Sequence, residues 1–547
     1  MGFAPCDSGA SAVAIRTEPL SGSGSHWGFE CKRPGYNTYL RDCPSLPHWA
    51  TMLRLKNRAG KGGRMNLRTR YLSVFPLIST AVVTLLLVVS AFADNPVPQV
   101  VGPVKPQTVI PGSGAFTLTV YGANFVSGAV VNWNRSPRST TFISARELKA
   151  QILGSDVATA TAGYITVTNP PPGGGISSSS YGLVEVHTPT KTLAVNVRSV
   201  VPSDAFYAIT ADLYGDGKLD LVSVQGDGKV NVNRGNGDGT FQAATTIGLD
   251  SFPDAGLAFG DFDGDGTVDL VYGWGTNMPT YLKVLLGEGG GRFRGLPRFG
   301  RQSNSYARGI VAGDFDGDGI LDLADGCGGE GCGWVFHGNG DGTFQKVESL
   351  GIYAGGDMVG ADFNGDGKLD LVGEYVSELY LFVGNGDGTF QKPRRIATDP
   401  RNLLCGFGPS LLVNDFNGDG YADLAFCDAN AGRIGILLGN GDGSFQRPVY
   451  YSTGFGAGNG FTFTAGDFNS DGKTDLIAST PAAGGHFNPE FEVFWGNGDG
   501  TFQKAKKLNL PQNFGGEIGL IPGDFNSDGL LDFVMVNNSG FWTYTRK

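Results

Sequence analysis

The sequence predicts an all-β protein, with a small β-sandwich ahead of a stacked or circular array of one repeated unit. Two observations carry this. A motif of the form D-F-[DN]-x-D-G-x-x-D-[LF] occurs seven times, its first aspartates at Asp212, Asp261, Asp314, Asp362, Asp415, Asp467 and Asp524. The steps between them are 49, 53, 48, 53, 52 and 57 residues, and a fixed period of this length marks a repeat architecture. Gly accounts for 88 of 547 residues and falls mostly in short turns between apolar runs, which is the punctuation of strands rather than helices.

Each nine-residue loop gathers oxygen donors around one point. Positions 1, 3, 5 and 9 offer carboxylate or amide oxygens, position 7 offers its backbone carbonyl, and Gly at position 6 permits the sharp turn. The first loop supplies Asp212, Asp216, Lys218 and Asp220, with Tyr214 in place of a donor at position 3. The second supplies Asp261, Asp263, Asp265, Thr267 and Asp269; the third, Asp314, Asp316, Asp318, Ile320 and Asp322. The fourth has Asp362, Asn364, Asp366, Lys368 and Asp370, and the fifth has Asp415, Asn417, Asp419, Tyr421 and Asp423. Asp467, Asn469, Asp471, Lys473 and Asp475 form the sixth; Asp524, Asn526, Asp528, Leu530 and Asp532 form the seventh.

Hard oxygen ligands without nitrogen or thiolate point to Ca2+ rather than zinc or copper. Magnesium fits less well, because it demands near-octahedral geometry and retains more water. About seven sites are expected, the first weaker or completed by water. The last acid stands at position 9, not at position 12 as in an EF-hand, and strand-like runs such as Leu221–Val224 follow it. The loop therefore joins two strands. A plain Asp/Asn/Gly hairpin turn is the competing explanation for any single copy; seven copies with the same acidic offsets favour the metal.

The formal charge of −11 divides unevenly: residues 1–93 carry +7 and the remainder −18. The loops hold 23 aspartates at donor positions, so the acidity reads as metal ligation. A nucleic-acid partner is not expected, because no basic stripe is present to meet phosphates.

In chain order, residues 1–64 show no strand or helix pattern and are expected to be a mis-called start ahead of Met65. Residues 65–93 read as a signal peptide: Arg68 and Arg70, an apolar run from Leu72 to Val89, then Ala91-Phe92-Ala93 before Asp94. A membrane anchor is the alternative for that segment. The mature chain is expected to have no membrane span and to be secreted or held at the cell surface as a monomer.

Residues 94–188 alternate as strands over 116–121, 129–133, 148–152 and 164–168. The segments "GAFTLTVYGANFVSGAVVNWN", "TTFISARELKAQI" and "ITVTNPPPGGGISSSS" resemble the IPT/TIG immunoglobulin-like domain of secreted bacterial proteins. That resemblance implies a spacer or presentation module without catalytic residues.

Residues 189–547 hold the array. Each unit reads as strand, loop, strand, strand, a turn such as Gly384–Phe390, and a fourth strand. The turn recurs at Gly235–Phe241, Gly338–Phe344, Gly439–Phe445 and Gly496–Phe502, and is degraded at Gly287–Phe293. Its Asn-Gly and Asp-Gly steps suit tight hairpins. The turn phenylalanines, with those at loop position 2 (Phe262, Phe315, Phe363, Phe416, Phe468 and Phe525), are expected to form core between units. Loop and turn together resemble FG-GAP/VCBS repeats, the family that includes the propeller of integrin α-subunits. The resemblance implies four-stranded blades in a ring with calcium in the hairpin loops. The fold class expected is thus a seven-bladed β-propeller preceded by an immunoglobulin-like β-sandwich. The last unit lacks its turn, so the spare strand at 192–200 is expected to complete blade seven and close the ring.

Cys327 with Cys332, and Cys405 with Cys427, suggest disulfides in an exported chain. No nucleophile or zinc-protease motif is present, and His187, His337 and His486 read as incidental. The expected function is therefore adhesion or the binding of extracellular polysaccharide or surface protein, through the longer loops at 274–281, 326–334, 402–410 and 482–491. A polysaccharide-degrading enzyme (lyase or glycosidase) on the same scaffold is the alternative, and plain structural display is the third reading.

Overall fold

The computed structural model describes residues 94–177, 182–190, 193–201, 205–225, 229–249, 256–274, 281–300, 307–327, 333–351, 356–375, 378–398, 410–457, 460–480, 490–510, 519–537 and 540–547. The expected signal peptide at 65–93 and residues 1–64 lie outside these residues. The described chain is all β, with no helix long and apolar enough to cross a membrane.

Two sheets form the N-terminal part. One pairs Gln99–Val100, Phe116–Ala123, Glu147–Ile152 and Ser139–Ser144 in that order. The other runs through Thr108–Val109, Leu183–Val186, Thr161–Asn169 and Val130–Trp133. Period-2 alternation decides which side chains point inward: Leu118, Val120, Leu148, Ala150 and Ile152 from the first sheet meet Val131, Trp133, Ile165, Val167 and Val184 from the second.

Seven four-stranded antiparallel sheets follow among the described residues. The first comprises Ala205–Ala211, Asp220–Gln225, Lys229–Asn233 and Thr245–Leu249. The first strands of successive sheets lie side by side, and that of the seventh, Gly519–Gly523, returns to Ala205–Ala211. This is a propeller arrangement. In the seventh sheet, Gly540–Arg546 is the third strand and Val195–Val201 pairs antiparallel with it as the fourth. The spare strand thus lies where its sequence position suggested, offset by a few residues.

The repeated phenylalanines stitch neighbouring sheets together. Ring pairs Phe262–Phe344, Phe315–Phe390, Phe363–Phe445, Phe416–Phe502 and Phe241–Phe525 have centroids 5.6, 5.7, 5.8, 5.8 and 6.0 Å apart. Each joins a loop to the turn of the next sheet, and the last joins the seventh sheet to the first. Such pairs add about 0.5–1.5 kcal/mol each beyond burial. A backbone bond accompanies every one: the N–H of Gly342, Gly388, Gly443, Gly500 and Gly239 donates to the carbonyl of the same loop phenylalanine at 2.9–3.0 Å.

The loops need left-handed backbone at positions 4 and 6. Gly fills position 6 throughout, but Ser470 and Ser527 stand at position 4 with φ of 58°. A non-glycine residue there carries a steric cost of about 1–2 kcal/mol, partly offset by the greater flexibility of unfolded Gly. Ser527→Gly should therefore raise stability by roughly 0.5–1 kcal/mol, read from a urea midpoint. Ser470→Gly should not, because the Ser470 hydroxyl donates to Glu185.

Candidate metal centres

The seven loops share one internal hydrogen-bond scheme, clearest in the fourth. Asp362 Oδ1 accepts the N–H groups of Gly365 and Asp366 at 2.7 and 3.2 Å, and Oδ2 accepts that of Gly367 at 2.8 Å. Asn364 Oδ1 accepts the Asp366 N–H at 2.8 Å, and Asp366 Oδ1 accepts the Lys368 N–H at 2.9 Å. The backbone is thereby wound around the position-1 carboxylate. Acidic oxygens of Asp261, Asp263 and Asp265 come within 4.8 Å of one another, as do those of Asp314, Asp316 and Asp318.

Position 9 is built differently. Asp370 is fully buried; its Oδ2 accepts the Phe363 N–H at 3.0 Å and its Oδ1 the Gly384 N–H at 2.8 Å. One carboxylate thus clips the loop to the turn between the third and fourth strands. Asp220, Asp269, Asp322, Asp423 and Asp475 make the same pair of bonds. In the seventh sheet, which has no such turn, Asp532 accepts instead from Phe525 and the Arg546 backbone.

Burial, reinforced by neighbouring carboxylates, pushes these acids up. Asp269 and Asp370 rise to about 7, Asp423 and Asp532 to about 8, and Asp475 to about 9. Such crowded acids ionise together only if a positive charge sits among them. Loops two to seven fit a hard divalent cation: their donors are oxygens, and each keeps an Asp or Asn at position 3. The first loop does not fit. Tyr214 offers no carboxylate or amide oxygen at position 3, its hydroxyl lying instead against Gly291, and against the upward push of burial the Arg234 hydrogen bond holds Asp216 below the ordinary carboxylate range.

The sandwich packs onto the loop-bearing ends of the sheets. The Val97 N–H donates to Asp314 Oδ2 at 2.8 Å and the Thr108 hydroxyl to Asp467 Oδ2 at 2.6 Å. Lys105 Nζ lies 2.7 Å from Asp415 Oδ2, and Arg135 Nη2 lies 2.5 Å from Asp212 Oδ2. Arg146 stacks on Tyr421 at 4.4 Å and reaches the Gly420 carbonyl. Glu185, buried, receives Arg546 Nη1 at 3.1 Å and the Leu531 N–H at 2.7 Å, besides Ser470.

Sequence reasoning passed over all of these partners. It also read His337 as incidental, yet His337 Nδ1 lies 3.1 Å from Asp316 Oδ2 and 3.4 Å from Asp322 Oδ1. One signal was present. The residue just before the turn glycine is Leu286, Val383, Leu438 or Trp495 in four units but Arg234 and His337 in two. A polar residue in an apolar column of the repeat marks both. Of the loops considered for ligands, residues 275–280, 328–332, 402–409 and 482–489 lie outside the described residues, as do His486, Cys332 and Cys405.

A family model for the FG-GAP-like repeat matches residues 212–272, 274–324, 415–478 and 483–535, and one for the FG-GAP repeat matches 459–501. No curated protein matches the chain. Among solved structures, a lectin from Agrocybe aegerita that recognises non-reducing terminal N-acetylglucosamine is 19% identical, over 75% of this chain and 100% of its own, with a TM-score of 0.43. An auxiliary nutrient-binding protein from Bacteroides ovatus is 11% identical, over 82% and 98%, with a TM-score of 0.36. FG-GAP-like repeats are thus found within residues 212–324 and 415–535, and the loops, turns and four-stranded sheets repeat the same unit.

Proposed function

We propose that the protein is an exported, calcium-stabilised propeller that binds extracellular carbohydrate or protein. The observation that carries the reading is the repeated loop of oxygen donors, its position-9 aspartate buried in all seven copies and its position-1 aspartate in five. Within each of the first six sheets, the metal loop and the third-to-fourth turn share one end. The sandwich covers that end, so ligand would be met at the other, where the strands leading into 274–281, 326–334, 402–410 and 482–491 finish. Export is supported by the leader at 65–93. A Cys405–Cys427 disulfide belongs to the same proposal and is supported by the full burial of Cys427.

Retention on a panel of immobilised polysaccharides, in calcium and again in chelator, tests the binding role. Calcium-dependent retention without cleavage supports it. Soluble cleavage products would replace it with an enzyme, and no retention on any polysaccharide would turn the search to protein ligands.

Chelation tests the metal. A cation that binds only the folded state adds about 2.7 kcal/mol per site at a hundred times its dissociation constant, so chelator should lower the melting temperature markedly. Asp366→Ala should cost up to that amount in calcium and almost nothing in chelator. An unchanged melting curve on chelation would sink the calcium reading.

A further inference from the structure

We propose that the first loop takes no divalent cation: Arg135 of the sandwich and Arg234 of the first sheet supply its positive charge, and the Arg135–Asp212 pair latches the sandwich down with or without calcium. The proposal rests on the calcium reading only for its contrast with the other six loops.

Every acidic oxygen in this loop already has a partner. Asp212 Oδ1 accepts the Asp216 N–H, and Oδ2 accepts the Gly217 N–H and Arg135 Nη2. Arg135 Nη1 donates at 2.8 Å to the Gly215 carbonyl, so one planar guanidinium spans positions 1 and 4. Asp216 Oδ1 accepts the Lys218 N–H, and Oδ2 takes Arg234 Nη2 at 2.8 Å. Both Asp220 oxygens are held by the backbone N–H groups of Leu213 and Gly235. The charge also balances. Two guanidinium ions against three carboxylates leave one negative charge, the same as a divalent cation would leave. Forked guanidinium contacts suit carboxylates and carbonyls in a way a lone ammonium does not.

Tyr214 fits this arrangement rather than a water-completed metal site. Its ring lies 4.4 Å from the Arg234 guanidinium carbon, a cation–π contact. Its other neighbour is the degraded turn of the second sheet: a Cβ on Gly291 would come within 2.2 Å of the Tyr214 ring. The aromatic ring packs against Gly291, a position that is glycine in every turn, and it backs the arginine that replaces the metal. Loop five offers the contrast: Lys105 reaches Asp415 there, but Asn417 keeps the position-3 donor.

The test counts calcium bound to the full chain by equilibrium dialysis and follows amide exchange in all seven loops. Six ions are expected for the unaltered chain, and seven for the triple variant R135A/Y214N/R234A, which restores the donor and removes both cations. In chelator, exchange in loop one should be unchanged while loops two to seven quicken at least tenfold. R135A/R234A should quicken loop one at least tenfold in chelator, with D366A leaving loop one unmoved. Seven ions in the unaltered chain, or a first loop that loses protection in chelator, would overturn the proposal. No ion in any loop, with loop one still dependent on its arginines, would uphold the arginine closure and sink the calcium reading instead.

Discussion

Arg546→Ala is expected to cost about 3–5 kcal/mol at pH 8 and distinctly less at pH 5. Arg546 and Glu185 are both 3% exposed and bring the last strand of the seventh sheet onto the sandwich. Removing one member of a buried pair strands the other charge, at a cost of this size. Burial pushes Glu185 up to about 7 against the pull of Arg546, Ser470 and the Leu531 N–H. A folded pKa above the ordinary carboxylate value favours the protonated form. Its contribution is therefore complete below about 4.5 and is lost as pH rises through 7. Near pH 5, Glu185 is already protonated in the folded protein, so losing the guanidinium removes hydrogen bonds only. Above pH 7 the variant must bury a bare carboxylate or hold its proton. Urea midpoints of the unaltered chain and the variant at the two pH values decide it, with Glu185→Gln as the partner variant lacking this titration. An equal cost at both pH values would show that Glu185 does not change its protonation between them.

The fold was legible because its signals are local and repeated. Period, loop chemistry and turn residues fixed the strand–loop–strand unit. The lone strand before the array, set against the missing turn after it, disclosed how the seventh sheet is completed. Phe262 and its equivalents could be assigned to the junctions between units because an apolar residue at a constant offset has to meet its counterpart next door. The cross-domain contacts were not legible. Arg135, Lys105, Thr108 and Glu185 lie 77, 310, 359 and 361 residues from Asp212, Asp415, Asp467 and Arg546, and no local pattern encodes such a pairing. Tyr214 stands out as a departure, but its meaning required the guanidinium of Arg234 over its ring and that of Arg135, from the sandwich, on the same loop.

The same limit explains why position 9 was read as one ligand among equals. Spacing shows that an acid stands there; only the structure shows that two buried N–H groups already depend on it. Asp475→Ala should therefore be damaging even without metal. It would leave the Gly496 N–H, now held at 2.8 Å, without an acceptor, and the Phe468 N–H, now held at 3.1 Å, with only the Gly466 carbonyl. An unsatisfied buried donor costs about 1–3 kcal/mol, so a loss of that size is expected in chelator. Asp471→Ala removes an exposed carboxylate with one local bond and should show its effect only when calcium is present. Protonation sharpens the contrast. Burial raises Asp475 to about 9, so in chelator its contribution is complete below the ordinary carboxylate range and shrinks as pH climbs toward 9. A bound cation would reverse the direction by holding the carboxylate ionised. Stability in chelator should accordingly fall from pH 5 to pH 9, and calcium should flatten or invert that slope. If Asp471→Ala and Asp475→Ala prove equally harmless in chelator, the clip between loop and turn contributes nothing, and position 9 is a metal ligand alone.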